Sequence, residues 1–349
     1  MNAQKWVKNW FLSFTVLILL LLGINFSVDP FWVYKHENIL NQVQKPFNER
    51  QQKTNYIYFN GFPYDSLLLG SSRTTYINQN NFKNMNVYNY GLSYATPFEF
   101  KSYIDFVKER SGKELKYILL GMDFFGTNDK LRLLNNDVEK YVKPMKGFCY
   151  KCKNLLNLDT TKGSFKNIFY SIKGGSRLYY DRHNIKYRPA LSTVKRLAKY
   201  NKNIIRKTST FTNTRYVYSE YYKDTVQKIK NSNKETVFIV FTTPVTDGLL
   251  LSILKQEGRM KDYERWLHDL VSVFGSVHHF MDLNDISKNH LNYFDSEHFY
   301  PKVGTILAHQ LTRKHENNNT INSEIILTKD NIDQYLKDFK ERVSTYTLD

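Results

Sequence analysis

The sequence predicts an α/β protein, a parallel sheet covered by helices on both sides and carried behind one N-terminal transmembrane helix. Three patterns carry that expectation. Short apolar runs bounded by turn residues recur at Ser66–Leu69, Asn86–Tyr90, Tyr117–Leu120, Thr236–Phe241 and Val277–Met281, each of strand length. Between them the spacing changes: Met260, Tyr263, Leu267, Leu270, Val271 and Phe274 repeat at steps of three and four, which gives a helix with one apolar face. Strands alternating with helices favour a parallel sheet, because each crossover lays a helix on a sheet face. The third pattern is a run of 20 uncharged residues between Lys8 and Asp29.

That run is long enough to cross a bilayer as one helix. Trp6, Trp10, Phe31 and Trp32 flank it at the depths where aromatic rings favour the interface, and Lys5 and Lys8 precede it. Positive charge stays on the cytoplasmic side, so residues 1–9 are expected in the cytoplasm, 10–28 in the membrane and the rest outside. No small-residue cleavage site follows the apolar core, where Gly23-Ile24-Asn25-Phe26-Ser27-Val28 stands, so an uncleaved single-pass anchor is expected rather than a signal peptide.

Residues 29–60 are polar and aromatic without a long periodic run, and read as a stalk or wrapping segment. The main domain is expected over residues 61–315. It is interrupted at about 130–234 by an insertion with helical patches around Phe165–Lys173 and Tyr218–Lys230. The chain has 50 Lys and Arg against 33 Asp and Glu, a net charge of +17, and residues 130–234 hold 25 of the basic residues and 6 of the acidic ones. The excess therefore sits in the insertion, as either a solvated surface or an attraction for an anionic polymer. Residues 316–349 read as a polar linker, Asn317–Ser323, followed by an amphipathic helix with Ile332, Tyr335, Leu336, Phe339 and Val343 on its apolar face, expected to pack on the domain.

Tyr64-Asp65-Ser66-Leu67-Leu68-Leu69-Gly70-Ser71-Ser72-Arg73 is the stretch with chemistry in it. An apolar strand that stops in Gly-Ser-Ser delivers a hydroxyl to the carboxyl edge of a parallel sheet, where such folds place their sites and where helix N-termini favour negative charge. Gly-Ser-Ser is also ordinary turn and N-cap vocabulary. What adds to it is Asp295-Ser296-Glu297-His298 at the far end of the core. A carboxylate three residues before a histidine reaches the imidazole within one turn, fixes its tautomer and stabilises the imidazolium that forms when it takes a hydroxyl proton. Arg73 follows the serine and is expected to form a surface salt bridge or to line the site.

With these residues in view, the sequence resembles the SGNH, or GDSL, hydrolases. Gly70-Ser71-Ser72 is similar to their first block, which implies Ser72 as nucleophile. Asn89-Tyr90-Gly91-Leu92-Ser93 is similar to their second, which implies Gly91 as a donor to the oxyanion beside the Ser72 N–H. Asp295 and His298 match the Asp-x-x-His block. The third block departs: where the family has Gly-x-Asn-Asp this chain has Gly121-Met122-Asp123-Phe124, so a carboxylate, Asp123, stands where an amide donor is expected, with Asn128 a poorly spaced substitute. A charged Asp123 would repel an oxyanion. Asp29-Pro30-Phe31 after the anchor, Gly-Ser-Ser-Arg and Gly-x-Asp-Phe together look like the membrane-anchored SGNH-like proteins of bacterial envelope-polysaccharide loci. The resemblance implies a three-layer, flavodoxin-like sheet and a serine esterase or O-acyltransferase. The substrate it implies is a cell-envelope glycan or teichoic acid, and the partner a multispan membrane O-acyltransferase. The alternative is a non-catalytic scaffold or anionic-glycan-binding subunit with a degenerate site.

Other candidates carry less. Outside the cytoplasm Cys149 and Cys152 can close a small disulfide, and a lone C-x-x-C is weak evidence for zinc. His278 and His279 alternate on a strand and point to opposite faces, which disfavours joint metal ligation. His290 reads as a loop residue. With no nucleotide-binding loop or dinucleotide fingerprint, no cofactor or metal is expected, and an exported location argues against a nucleic-acid partner.

Overall fold

The computed structural model describes residues 3–46, 48–134, 137–174, 178–313 and 324–347. The linker expected at Asn317–Ser323 lies outside the described residues. The chain divides into two compact units, residues 1–62 with 138–189, and residues 63–137 with 190–349.

The second unit is built on a six-stranded sheet. In chain order its strands are β1 (Ser66–Gly70), β2 (Val87–Asn89), β3 (Tyr117–Met122), β4 (Val237–Thr242), β5 (Ser276–His279) and β6 (Ile325–Thr328), and in space they run 2-1-3-4-5-6. The first five are parallel, as the βα rhythm predicts, with Leu68 opposite Leu119 and Leu119 opposite Ile239. Leu67, Leu68, Leu69, Ile118, Leu119 and Leu120 are all fully buried, which is why β1 and β3 read as unbroken apolar runs rather than alternating ones. β6 was not expected and runs antiparallel to β5, with Leu327 opposite Val277, so the sheet is mixed at one edge. Its four residues shield the backbone groups that β5 would otherwise leave unpaired.

From β1 the chain goes to β2 on one side and then to β3 on the other, so the strand order reverses at β1. The carboxyl ends flanking such a reversal diverge and leave a crevice. Ser72 lies two residues beyond the end of β1, at that crevice. Helices pack in succession: Pro97–Ser111 against Tyr222–Asn231, that helix against Arg259–Phe274, and the last against Ile332–Thr345. Thr96 and Glu99 close a capping box at the first of them. Ile332, Tyr335, Leu336, Phe339 and Val343 are buried, with the Phe339 ring stacked on Tyr263 at 5.4 Å.

The first unit contains Ala3–Val28, a 26-residue helix long and apolar enough to cross a membrane. Residues 29–60 are more ordered than a stalk: Glu49–Asn60 is a helix, N-capped by the Asn48 side chain. Its apolar periodicity is weak because the face it buries is polar. Gln52 donates to the Pro30 carbonyl at 2.7 Å, Asn55 to that of Phe31 at 2.9 Å, and Gln44, ahead of the helix, to that of Val28 at 2.7 Å. Arg182 pairs with buried Asp29 at 3.0 Å. Cys149 and Cys152 are joined in a disulfide. The stretch expected as one insertion is thus divided between the units, 138–189 in the first and 190–234 in the second, where it adds the helix Thr193–Thr208.

Candidate active site

The turn after β1 is pinned by Thr74. Its N–H and hydroxyl both donate to the Ser71 carbonyl, at 3.1 and 2.8 Å. Its side chain fills the space that a Cβ on Gly70, Gly91 or Gly121 would need. Three neighbouring strand ends therefore carry glycine so that one threonine can sit on the sheet edge, and Ser72 is held beside it, partly exposed. From the other end of the chain, the helix Pro301–Leu311 lies so close to this turn that a Cβ on Gly304 would overlap the Tyr76 carbonyl oxygen. The loop ahead of that helix is closed by the Phe294 N–H donating to the His298 carbonyl at 3.1 Å, and the Phe294 ring stacks on the imidazole at 5.5 Å.

These contacts bring three of the expected residues into one line. Ser72 Oγ lies 2.9 Å from His298 Nε2, and His298 Nδ1 lies 2.9 Å from Asp295 Oδ2 and 3.1 Å from Oδ1. Because Nδ1 faces carboxylate oxygens it carries the proton, leaving Nε2 to accept from the serine hydroxyl. Asp295 Oδ1 also accepts the N–H groups of Glu297 and His298 at 2.9 and 2.8 Å. Burial raises the Asp295 carboxyl, but the imidazole beside it and its hydrogen bonds outweigh burial and hold it below the ordinary value.

Arg73 is not a surface residue. It is 4% exposed, and its guanidinium reaches Asp123 Oδ1 at 2.8 Å, Thr243 Oγ1 at 3.1 Å and Glu297 Oε2 at 3.4 Å. Asp123 also accepts from the Thr243 hydroxyl. The carboxylate that stands in the place of an amide donor is therefore turned into an ion pair, and the charge expected to oppose an oxyanion is compensated. Gly91 departs from its expected role: its N–H donates to the Asn89 side-chain oxygen at 2.8 Å. The Ser72 N–H, by contrast, donates to no acceptor among the described residues. Asn128 is absent from the site, since its side chain caps the 129–132 helix and donates to the Arg215 carbonyl.

Glu297, the residue between the two matched positions of Asp-x-x-His, was not singled out by the sequence. It is 2% exposed and lies 3.7 Å from His298 Nδ1, 2.8 Å from Lys207 Nζ and 3.3 Å from the Asn203 amide. Burial raises this carboxyl, and His298, Lys207 and Arg73 together pull it far below the ordinary range. Two of its partners, Asn203 and Lys207, come from the Thr193–Thr208 helix of the basic insertion, ninety or more positions away, so no local spacing signals it. Tyr94, also missed, is over half exposed. It accepts from Arg206 at 3.2 Å and lines a pocket of about 380 Å³ with Phe98, Ser102, Asp105, Arg132 and Asp137.

Three other histidines make structural contacts. His279 is buried between the Thr242 and Tyr263 hydroxyls, at 2.9 and 3.0 Å, and burial lowers it to about 4, so it is neutral at pH 7. His278 faces Glu324. His290 is more than a loop residue, since its Nε2 lies 2.6 Å from Asp247 Oδ1 and its ring stacks on Tyr200. Among the described residues no group of three or more His, Cys, Asp or Glu is placed to hold a metal ion. Compared with known proteins, the chain matches no protein-family model and no curated sequence.

Proposed function

We propose that the chain is a membrane-anchored, extracytoplasmic serine esterase or O-acyltransferase of SGNH type. It acts on a cell-envelope polysaccharide or teichoic acid through an acyl-Ser72 intermediate. One observation carries this reading: the Ser72–His298–Asp295 hydrogen-bond line, assembled from residues 226 positions apart at the crevice of a parallel sheet. The strand order 2-1-3-4-5 is the flavodoxin-like order, which supports the finer description of the fold. The disulfide and the membrane-length helix support an oxidising compartment beyond a membrane, with the N-terminus in the cytoplasm.

In this mechanism His298 Nε2 takes the Ser72 proton as Oγ bonds to the acyl carbon. Asp295, and more distantly Glu297, stabilise the imidazolium. The Ser72 N–H meets the oxyanion. Collapse of the tetrahedral intermediate breaks the ester bond, and the imidazolium returns the proton to the departing alkoxide. A sugar hydroxyl or water then repeats the sequence on the acyl-enzyme, giving transfer or hydrolysis. In an envelope acylation system a multispan O-acyltransferase supplies or receives the acyl group.

The engagement of the Gly91 N–H by Asn89 favours a second reading, a non-catalytic subunit that binds an anionic glycan. A fluorophosphonate probe separates the two. Labelling of the folded chain that disappears in Ser72→Ala and falls steeply in His298→Ala supports the enzyme. No labelling of folded wild type, together with salt-sensitive binding of teichoic acid that survives Ser72→Ala, supports the binding subunit.

A further inference from the structure

The helix Leu158–Ile172, in the first unit, is built inside out for a protein in water. The face it turns to the protein carries Thr160, Gly163, Ser164 and Asn167, all buried. The opposite face carries Leu158, Phe165, Phe169 and Ile172, exposed by 73, 53, 51 and 80%. These four fall within a narrow stripe at helical spacing, and Lys162, Lys166 and Lys173 run along one side of it. Large apolar side chains turned outward on a helix whose small polar ones are buried mark a surface that meets something other than water.

What it meets is indicated by its neighbour. The small-residue face packs on the C-terminal end of the Ala3–Val28 helix: a Cβ on Gly163 would lie 3.0 Å from Pro30, and Asn25 donates to Thr161 Oγ1 at 3.0 Å and to the Leu155 carbonyl at 2.8 Å. Asn25 is fully buried, so this contact satisfies the Nδ2 donors of a polar residue inside the apolar run. Asn25 lies four residues before Asp29, about 6 Å along the helix axis from the end of the apolar run. Residues 3–17 of that helix are exposed, whereas Leu21, Leu22 and Ile24 are partly covered. The first unit thus reaches below the end of the run, to the depth at which interfacial helices lie, about 5–10 Å into the headgroup and acyl boundary.

We infer that the helix Leu158–Ile172 lies in the membrane interface, its Leu158, Phe165, Phe169 and Ile172 stripe in the acyl boundary and its lysines at the phosphate headgroups of the leaflet where the span emerges. The inference rests on Ala3–Val28 being a membrane span. It makes the first unit a monotopic collar around the end of that span, with lipid as the occupant of the stripe. The Lys173 ammonium stands over the Phe169 ring, 4.4 Å from its centroid, so a positive charge borders the apolar stripe.

The test uses the full chain in nanodiscs containing anionic lipid. Both native cysteines are in the disulfide, so one introduced cysteine carries the only free thiol. Spin labels are placed at Phe165→Cys, Phe169→Cys and Ile172→Cys, at Leu17→Cys within the apolar run, and at Leu291→Cys, 62% exposed in the other unit. All are exposed positions, so folding is preserved, and fluorophosphonate labelling or thermal unfolding checks it. Collision with oxygen is expected to exceed collision with an aqueous nickel chelate several-fold at 165, 169 and 172, as at 17, with the opposite preference at 291. Equal nickel access at 165, 169, 172 and 291, with Leu17 still lipid-exposed, overturns the inference and leaves the span intact. Low access to both reagents at 165 and 169 overturns it in favour of a protein partner or a second copy. Nickel access at Leu17 removes the span and the inference with it.

Discussion

Gly304 lies against the backbone of Tyr76, so close that a Cβ there would overlap the Tyr76 carbonyl oxygen and stand 2.9 Å from the Ile77 Cα. That single contact sets the separation between the helix following His298 and the turn following Ser72. Backbone on both sides leaves nothing flexible to yield. Gly304→Ala is expected to cost about 1–3 kcal/mol through overpacking. It should also slow fluorophosphonate labelling of Ser72 by more than that loss of folded protein explains. Thermal unfolding and labelling rate measured on one preparation separate the two effects, and a variant that labels at the wild-type rate would show that the Ser72–His298 distance is set elsewhere.

Glu297 is predicted to be a positioning residue. Glu297→Gln leaves Lys207 without its carboxylate partner and Arg73 with Asp123 alone, and is expected to destabilise the chain by roughly 3–5 kcal/mol. The imidazolium loses a carboxylate 3.7 Å from Nδ1, so labelling of Ser72 should slow by more than the loss of folded protein explains. Folding stability carries its own pH signature. A carboxyl held below its ordinary value of 4.5 contributes stability that is present above that value and lost as pH falls through the folded-state value. Glu297→Gln should therefore unfold with a shallower dependence on acid pH than wild type.

Lys53 gives the same sign in a higher pH window. It is 1% exposed, and burial lowers its ammonium to about 7, with Glu49 pulling it up and Lys186 pushing it down. The unfolded chain then binds the proton more tightly than the folded one between about 7 and 10.5, so stability rises with pH across that interval. Lys53→Met is expected to flatten the rise. Thermal midpoints of the detergent-solubilised chain across the interval test it, and an unchanged slope would assign the effect to other groups.

The disulfide between Cys149 and Cys152 closes a loop of four residues, which constrains the unfolded chain little. The double Cys149→Ser, Cys152→Ser variant is expected to lose about 1–2 kcal/mol and to keep Ser72 labelling. In intact cells, thiols at these positions should be unreactive until a reductant is added. Reactive thiols without reductant would place this segment in a reducing compartment.

Much of the frame was legible because each sheet strand of the parallel set is a short apolar run with turn residues after it. β6 escaped because Ile325–Thr328 is isolated beyond a polar stretch and only pairs at an edge. The helix Thr193–Thr208 escaped because Val194 and Ile205, which ought to mark its buried side, are exposed, while the residue that it buries is Asn203. Glu49–Asn60 escaped for a related reason, since most of what it buries is polar: Glu49, Gln52, Lys53, Thr54 and Asn55, with Ile57 beside them. In the site, Ser72, Asp295 and His298 were legible as a pattern of order and spacing. Arg73 was read as a surface residue because an arginine after a turn usually is one, and the carboxylates that hold it, Asp123 and Glu297, come from two distant segments.

The glycines at 70, 91 and 121 deserve a different weight from the one a motif gives them. Each makes room for Thr74, a residue with no part in the chemistry, so a descendant of this chain that lost Ser72 would still need all three to keep the edge of its sheet closed. If the proposed reaction holds, its loss would be visible first at Ser72 and His298, with the glycines unchanged, so glycine-rich blocks alone would not separate active from inactive sites.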